Sequence, residues 1–152
     1  MGDGPYRPAL ERQVRQLHLS GYVEFTGALD DAALADWYRR ASIFVFTPQP
    51  NSARGEMEGF GLVCVEAGAG GCPIVAWKTG GVGEAVIDGE TGLVVNYEDW
   101  DGLISSLVQI MQSPELAARL GQGGYRRACH LSLTAASILG EESPVLNRSW
   151  QT

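Results

Sequence analysis

Two glutamates that bracket seven residues, with a Gly-Phe-Gly turn directly after the first, mark the segment Glu58-Gly59-Phe60-Gly61-Leu62-Val63-Cys64-Val65-Glu66-Ala67 as the part of this chain best equipped for chemistry. A helix starting near Gly61 leaves its first amide N–H groups without intrahelical acceptors. Those groups carry about half a positive charge and can hold an anion such as a diphosphate. Glycines at the turn let a ligand approach the backbone where a Cβ would obstruct. Glu66 then falls inside an otherwise apolar helix, among Leu62, Val63, Val65 and Ala69. A carboxylate withdrawn from water needs hydrogen-bond donors. The two hydroxyls of a ribose would supply them; so would a backbone N–H, or partial exposure to water. Glu58, ahead of the helix, either faces a ligand or is a loop acid favoured by the helix dipole. Two carboxylates about 5–10 Å apart across a sugar would also suit glycoside hydrolysis. Spacing leaves that open, although a glutamate inside a buried helix behind a Gly-Phe-Gly turn suits nucleotide binding better.

The elements that must position these residues are legible in the hydrophobic pattern. Leu10, Val14 and Leu17 among charges give helical spacing over 5–19. Tyr22-Val23-Glu24-Phe25 reads as a short strand ending at Gly27, and Asp30 and Asp31 open a helix whose buried stripe is Leu34, Trp37 and Tyr38. Ile43-Phe44-Val45-Phe46 is a continuous apolar, β-rich run, expected to be a strand covered on both faces. A polar loop over 48–57 leads to a helix over 60–69, which Gly70-Gly71 and Pro73 stop. Ile74-Val75-Ala76 is another buried strand, followed by the Gly80-Gly81-Val82-Gly83 turn and a short helix through Ile87. Leu93-Val94-Val95 makes a further strand, and 100–111 and 114–128 are amphipathic helices. Periodicity weakens from Leu131 onward. Strands alternating with helices imply βαβ units and a parallel sheet, with ligands bound outside the carboxyl ends of the strands. The glycine clusters at 59–61 and 80–83 both fall after strands, and so on that edge.

Composition narrows the partners. The 152 residues carry 11 basic and 18 acidic side chains, a formal net charge of −7, without a Lys/Arg-rich run, which argues against nucleic acid. Three cysteines without a CxxC pair fit reduced thiols. With no apolar run near the roughly 20 residues of a membrane helix and no signal-like N-terminus, the expectation is a cytoplasmic domain without a membrane-spanning segment. No set of metal ligands stands out; His18 and His130 read as structural or surface residues. The glycine clusters fail the dinucleotide fingerprint and the P-loop, and no nucleophile elbow is present.

The Glu–seven residues–Glu segment resembles the motif of retaining glycosyltransferases with the GT-B fold, above all family 4. The likeness extends to Gly2-Asp3-Gly4-Pro5, Val23-Glu24-Phe25-Thr26-Gly27, residues 34–46, Gly71-Cys72-Pro73-Ile74-Val75-Ala76, the Gly80-Gly81 turn with Glu84, and Asp88-Gly89-Glu90-Thr91-Gly92-Leu93-Val94-Val95. These follow one another in that family's order over residues 1 to about 128. The resemblance implies an α/β fold, a Rossmann-like parallel sheet flanked by helices: the C-terminal half of a GT-B fold, with its first strand apparently missing. It implies a donor-binding domain over 1–130 and a C-terminal helix or tail over 131–152.

By the same resemblance, Glu58 would be catalytic, orienting the donor sugar or stabilising charge as the glycosidic bond breaks. Glu66 would hydrogen-bond the ribose. Gly59 and the backbone N–H groups of Phe60, Gly61 and Leu62 would meet the sugar and diphosphate, and the Gly27-Ala28-Leu29 turn would lie beside the nucleobase. The donor would be a UDP-, GDP- or ADP-hexose, with no metal or other cofactor. The family's diphosphate-neutralising Arg and Lys, and its N-terminal acceptor domain, have no counterpart in these residues. The expectation is therefore that the chain alone transfers sugar poorly or not at all, and a binding-only module is the alternative.

Overall fold

The computed structural model describes residues 3–49 and 61–131. The chain divides into two compact units, Met1–Leu34 and Ala35–Thr152.

In the first unit, helix α1 (Arg7–Gln16) starts with a proline in its first turn, where no intrahelical N–H is needed. It ends in a Schellman motif: Leu19 N–H donates to the Val14 carbonyl at 2.9 Å and His18 N–H to that of Arg15 at 3.1 Å. His18 occupies the left-handed position with φ +57°, where glycine is usual, so its role is structural. Arg7 holds the unit's inner side. Its Nε donates to Glu11 Oε1 at 2.9 Å, its Nη2 to the Phe25 carbonyl at 3.3 Å, and its guanidinium lies 5.9 Å from the Phe25 ring centroid. The strand expected at 22–25 does not form; residues 21–22 are a turn and 23–26 irregular. An extended segment becomes a strand only where a neighbour supplies ladder partners, and here the Phe25 carbonyl is taken by a side chain.

The division between the units falls within α2 (Asp31–Arg40), capped by Asp30, whose Oδ1 accepts from Ala33 N–H at 2.8 Å. The helix fully buries Ala35 and Tyr38, while Leu34 and Trp37 are half-buried.

The second unit is built on three parallel strands, β1 (Phe44–Phe46), β2 (Ile74–Lys78) and β3 (Gly92–Asn96), in the order β1-β2-β3. The register pairs Val45 with Val75 and Val75 with Leu93. β2, in the middle, is buried from Ile74 through Trp77. β1 departs from expectation: Val45 is 43% exposed, because the strand lies at an edge of the described sheet and only its Phe44 and Phe46 side is packed. There the Tyr38 and Phe44 rings meet edge to face at 5.5 Å.

On the face shown by Val75 and Trp77, the core is closed by Leu103 and Ile110 of α5 (Trp100–Gln112) and by Ala117 and Leu120 of α6 (Pro114–His130). Asp99 caps α5 by accepting from Gly102 N–H, and Ser113 caps α6 by accepting from Leu116 N–H, so both starts follow from the sequence. α3 (Leu62–Ala69) packs along β1, β2 and α6; the short α4 (Val82–Ala85) packs on α3 and β2.

The approach of α3 to α6 is made by glycines. A side chain on Gly68 would come 3.1 Å from the Gly124 carbonyl oxygen, and one on Gly121 would overlap the carbonyl oxygen of Gly71. The tail expectation for 131–152 falls almost wholly outside the described residues, with Leu131 closing α6 as its C-cap.

Candidate functional site

β1, β2 and β3 end at Phe46, Lys78 and Asn96, which defines the carboxyl edge of the sheet. α3 begins there with Gly61 as its N-cap, in the left-handed region with φ +71° and ψ 42°. Any L side chain would be strained in that conformation. A Cβ at Gly61 would stand 3.5 Å from Ala85 Cβ and 3.7 Å from Val82 Cα, so the turn entering α3 lies against α4, the helix opened by Gly80-Gly81. Of the two glycine clusters expected on one edge, the described residues place Gly61 of the first against the helix that follows the second.

Among the described residues, α3 has no side-chain cap and no acidic residue in its first turn, so none of them neutralises the positive end of the helix. Leu62, the first helical residue, is 55% exposed, while Cys64, Val65 and Ala67 to Ala69 are buried. Glu66 sits one turn in, half-buried. Its Oε2 accepts a long hydrogen bond of 3.4 Å from the Tyr38 hydroxyl, so one lone pair of the carboxylate is engaged within the protein and the others stay available. Burial, and then the charge of Glu66 and its hydrogen bond, hold the Tyr38 hydroxyl well above its usual pKa. Tyr38 therefore remains a neutral donor aimed at Glu66.

Sequence reasoning missed Tyr38 as the partner of Glu66, reading it only as part of a buried stripe. The two are 28 residues apart, and no local pattern links them. It also missed Thr79, between Lys78 and Gly80, whose Oγ1 is shut off from water without a hydrogen-bond partner among the described residues. Glu58, Gly59 and Phe60 lie outside the described residues. Gly27 and Leu29 belong to the first unit: Gly27 has φ +69°, with the Arg7 guanidinium 3.2 Å from where a Cβ would stand, and Leu29 is half-buried. Among the described residues, no group of three His, Cys, Asp or Glu could hold a metal ion, and no helix is long and apolar enough to cross a membrane.

In parallel α/β sheets, phosphates and nucleotides are commonly bound at the carboxyl edge, where a glycine-led helix such as α3 begins. Residues 1–127 match the family described as glycosyl transferases group 1, and the chain belongs to it. It is 34% identical over 124 residues to a GDP-mannose-dependent α-(1-6)-phosphatidylinositol monomannoside mannosyltransferase of Mycolicibacterium smegmatis, covering 82% of this chain and 32% of that protein. It is 37% identical over 142 residues to a D-inositol 3-phosphate glycosyltransferase of Streptomyces avermitilis, covering 92% and 29%. Among solved structures, sucrose-phosphate synthase from Thermosynechococcus elongatus superposes with a TM-score of 0.71 at 31% identity, covering 88% of this chain and 33% of that one. The Anabaena protein HepE in complex with UDP-glucose superposes with a TM-score of 0.71 at 26% identity, covering 85% and 35%. The chain thus spans about a third of the length of these relatives.

Proposed function

We propose that this chain is the donor-binding half of a retaining glycosyltransferase, holding a nucleotide-activated hexose at the carboxyl edge of its sheet. The observation that carries the reading is Glu66: a half-buried carboxylate one turn inside a helix that starts at Gly61 without a side-chain cap, at the carboxyl edge of the sheet. A nucleoside diphosphate matches that arrangement in both of its polar parts. Its diphosphate suits the positive end of α3, and its ribose hydroxyls suit the lone pairs of Glu66 that Tyr38 leaves over. Relatives that use GDP-mannose or were solved with UDP-glucose support the donor class.

In this reading the backbone N–H groups at 60–62 meet the donor's sugar and diphosphate, and no divalent metal is required. Glu58 stands ahead of the helix, where a carboxylate can orient the sugar and stabilise positive charge developing at its anomeric carbon. The helix dipole favours departure of the nucleoside diphosphate. The chain by itself binds the donor and transfers sugar poorly or not at all; turnover belongs to a protein of the relatives' length.

A double-mutant cycle tests the ribose assignment. The nucleoside diphosphate that binds (UDP, GDP or ADP) is titrated against the wild type and Glu66→Ala, and its 2′,3′-dideoxy analogue against both. A charge-assisted hydrogen-bond pair contributes about 1.5–3 kcal/mol, roughly 10–100-fold in affinity. Glu66→Ala should cost about that much, and the dideoxy sugar should cost nothing further once Glu66 is gone. Fully additive losses would remove the ribose from Glu66.

A further inference from the structure

At the amino end of the same sheet, helix α6 and the segment leading into β3 enclose a groove of about 590 Å³. Its walls carry Arg119, Arg126, Arg127 and His130, all on α6, against a single carboxylate, Glu90. Positions 119, 126, 127 and 130 fall on one face of a helix, separated by seven, eight and eleven residues. Two of the guanidiniums are held in place. Arg119 Nη1 donates to the Gly89 carbonyl at 2.9 Å, and Arg127 Nη2 donates to the carbonyl of Glu84. Gly123, at the centre of the face, lets the helix lie against the Glu90 carbonyl.

Ordinary compensation of the helix dipole explains part of this. Arg127 and His130 stand in the last turn, where cations are favoured. It does not explain Arg119, more than two turns earlier. Nor does it explain exposed Arg126, which makes no hydrogen bond or ion pair among the described residues and so has its donors free for a ligand. The general charge of the molecule does not explain the cluster either, because the chain is acidic, with a formal net charge of −7. Three like charges and an imidazole around one cavity, with donors left over, are complementary to an anion that presents several oxygens. The planar guanidinium fork matches phosphate bidentately.

We infer that this groove binds a phosphate-bearing ligand at a site of its own. It lies at the amino end of β3, whereas the proposed donor edge lies at the carboxyl end. The inference does not rest on the donor reading, and it survives if that reading fails.

The test follows backbone amide shifts of the 152-residue chain at low salt on addition of inorganic pyrophosphate. Alongside it, flotation is measured with vesicles of phosphatidylglycerol and, as control, phosphatidylcholine. Arg126→Gln is the first variant, since exposed and unpartnered Arg126 leaves the fold intact when changed; Arg119→Gln is the second, with circular dichroism melting as the folding control. Pyrophosphate is expected to shift amides at 119–130, apart from any shifts at 61–66, with affinity falling roughly tenfold or more in Arg126→Gln. Binding to anionic vesicles alone, lost in Arg126→Gln, would support the site with a lipid headgroup as the source of the phosphate. If neither pyrophosphate nor anionic vesicles give binding that Arg126→Gln and Arg119→Gln weaken, the inference is overturned.

Discussion

The carboxylate of Glu66 and the hydroxyl of Tyr38 form a pair whose properties depend on burial as much as on their contact. Tyr38 is 3% exposed, and its proton is retained because an ionised phenol would be desolvated beside a second negative charge. The consequence for stability has a definite sign. A tyrosine whose pKa is raised in the folded state contributes stability that is complete below its unfolded value of about 10 and is lost as pH rises toward the folded one. Above pH ~10 the unfolded chain releases this proton and the folded chain does not, so Tyr38 alone lowers unfolding free energy by about 1.4 kcal/mol per pH unit. Tyr38→Phe is expected to flatten that alkaline decline by one proton's worth, measured as the slope of urea-unfolding free energy between pH 10 and 11. An unchanged slope would mean that Tyr38 titrates normally in the folded protein. Nothing local in the sequence pointed to this pair. Glu66 stood out as a charge within an apolar run, but its donor comes from another helix.

At the scale of elements, the sequence was most informative where one residue type dictates the local structure. The helices expected over 100–111 and 114–128 form as α5 and α6, and Gly80-Gly81 marked the turn after β2. It was least informative about partners: residues 22–25 have strand composition without a ladder, and Val45 lies on an open side of an edge strand.

The α6 glycines are a third case. Sequence periodicity treated α6 as an ordinary amphipathic helix, although Gly121, Gly123 and Gly124 within one turn are costly for an isolated helix. That cost was the available signal of close packing. Gly121→Ala would gain roughly 1 kcal/mol of intrinsic helix propensity, yet its methyl group would strike the Gly71 carbonyl oxygen, which is backbone and cannot step aside. Overpacking of this kind costs about 1–3 kcal/mol. Because the overlap is with backbone, the upper half of that range applies, and we expect a net loss of about 1–2 kcal/mol by urea unfolding, against no loss for Gly83→Ala, where a Cβ would have no neighbour within 4 Å. Equal stability of the two variants would show that α6 is not held against the 68–71 turn as described.

On the scale of the whole molecule, the chain spans about a third of the length of its relatives, and the proposal gives it donor binding without turnover. The family and the alternation of strands with helices were legible in motif order. So was the placing of Gly61 and the Gly80-Gly81 turn at one sheet edge, because topology dictates where loops after parallel strands emerge. The basic groove at the opposite edge was not. Its arginines are spread along α6 and gain meaning only when the segment before β3 is folded against them.

The account's central claim is that the carboxyl edge takes a nucleoside diphosphate and its sugar conjugate. The most direct measurement is a calorimetric titration of the 152-residue chain with UDP, GDP and ADP and with their hexose conjugates. The account predicts that one nucleotide saturates at one per chain and that its hexose conjugate binds at least as tightly. A chain that melts cooperatively and yet releases no heat and shows no amide shifts with any of the six would contradict it.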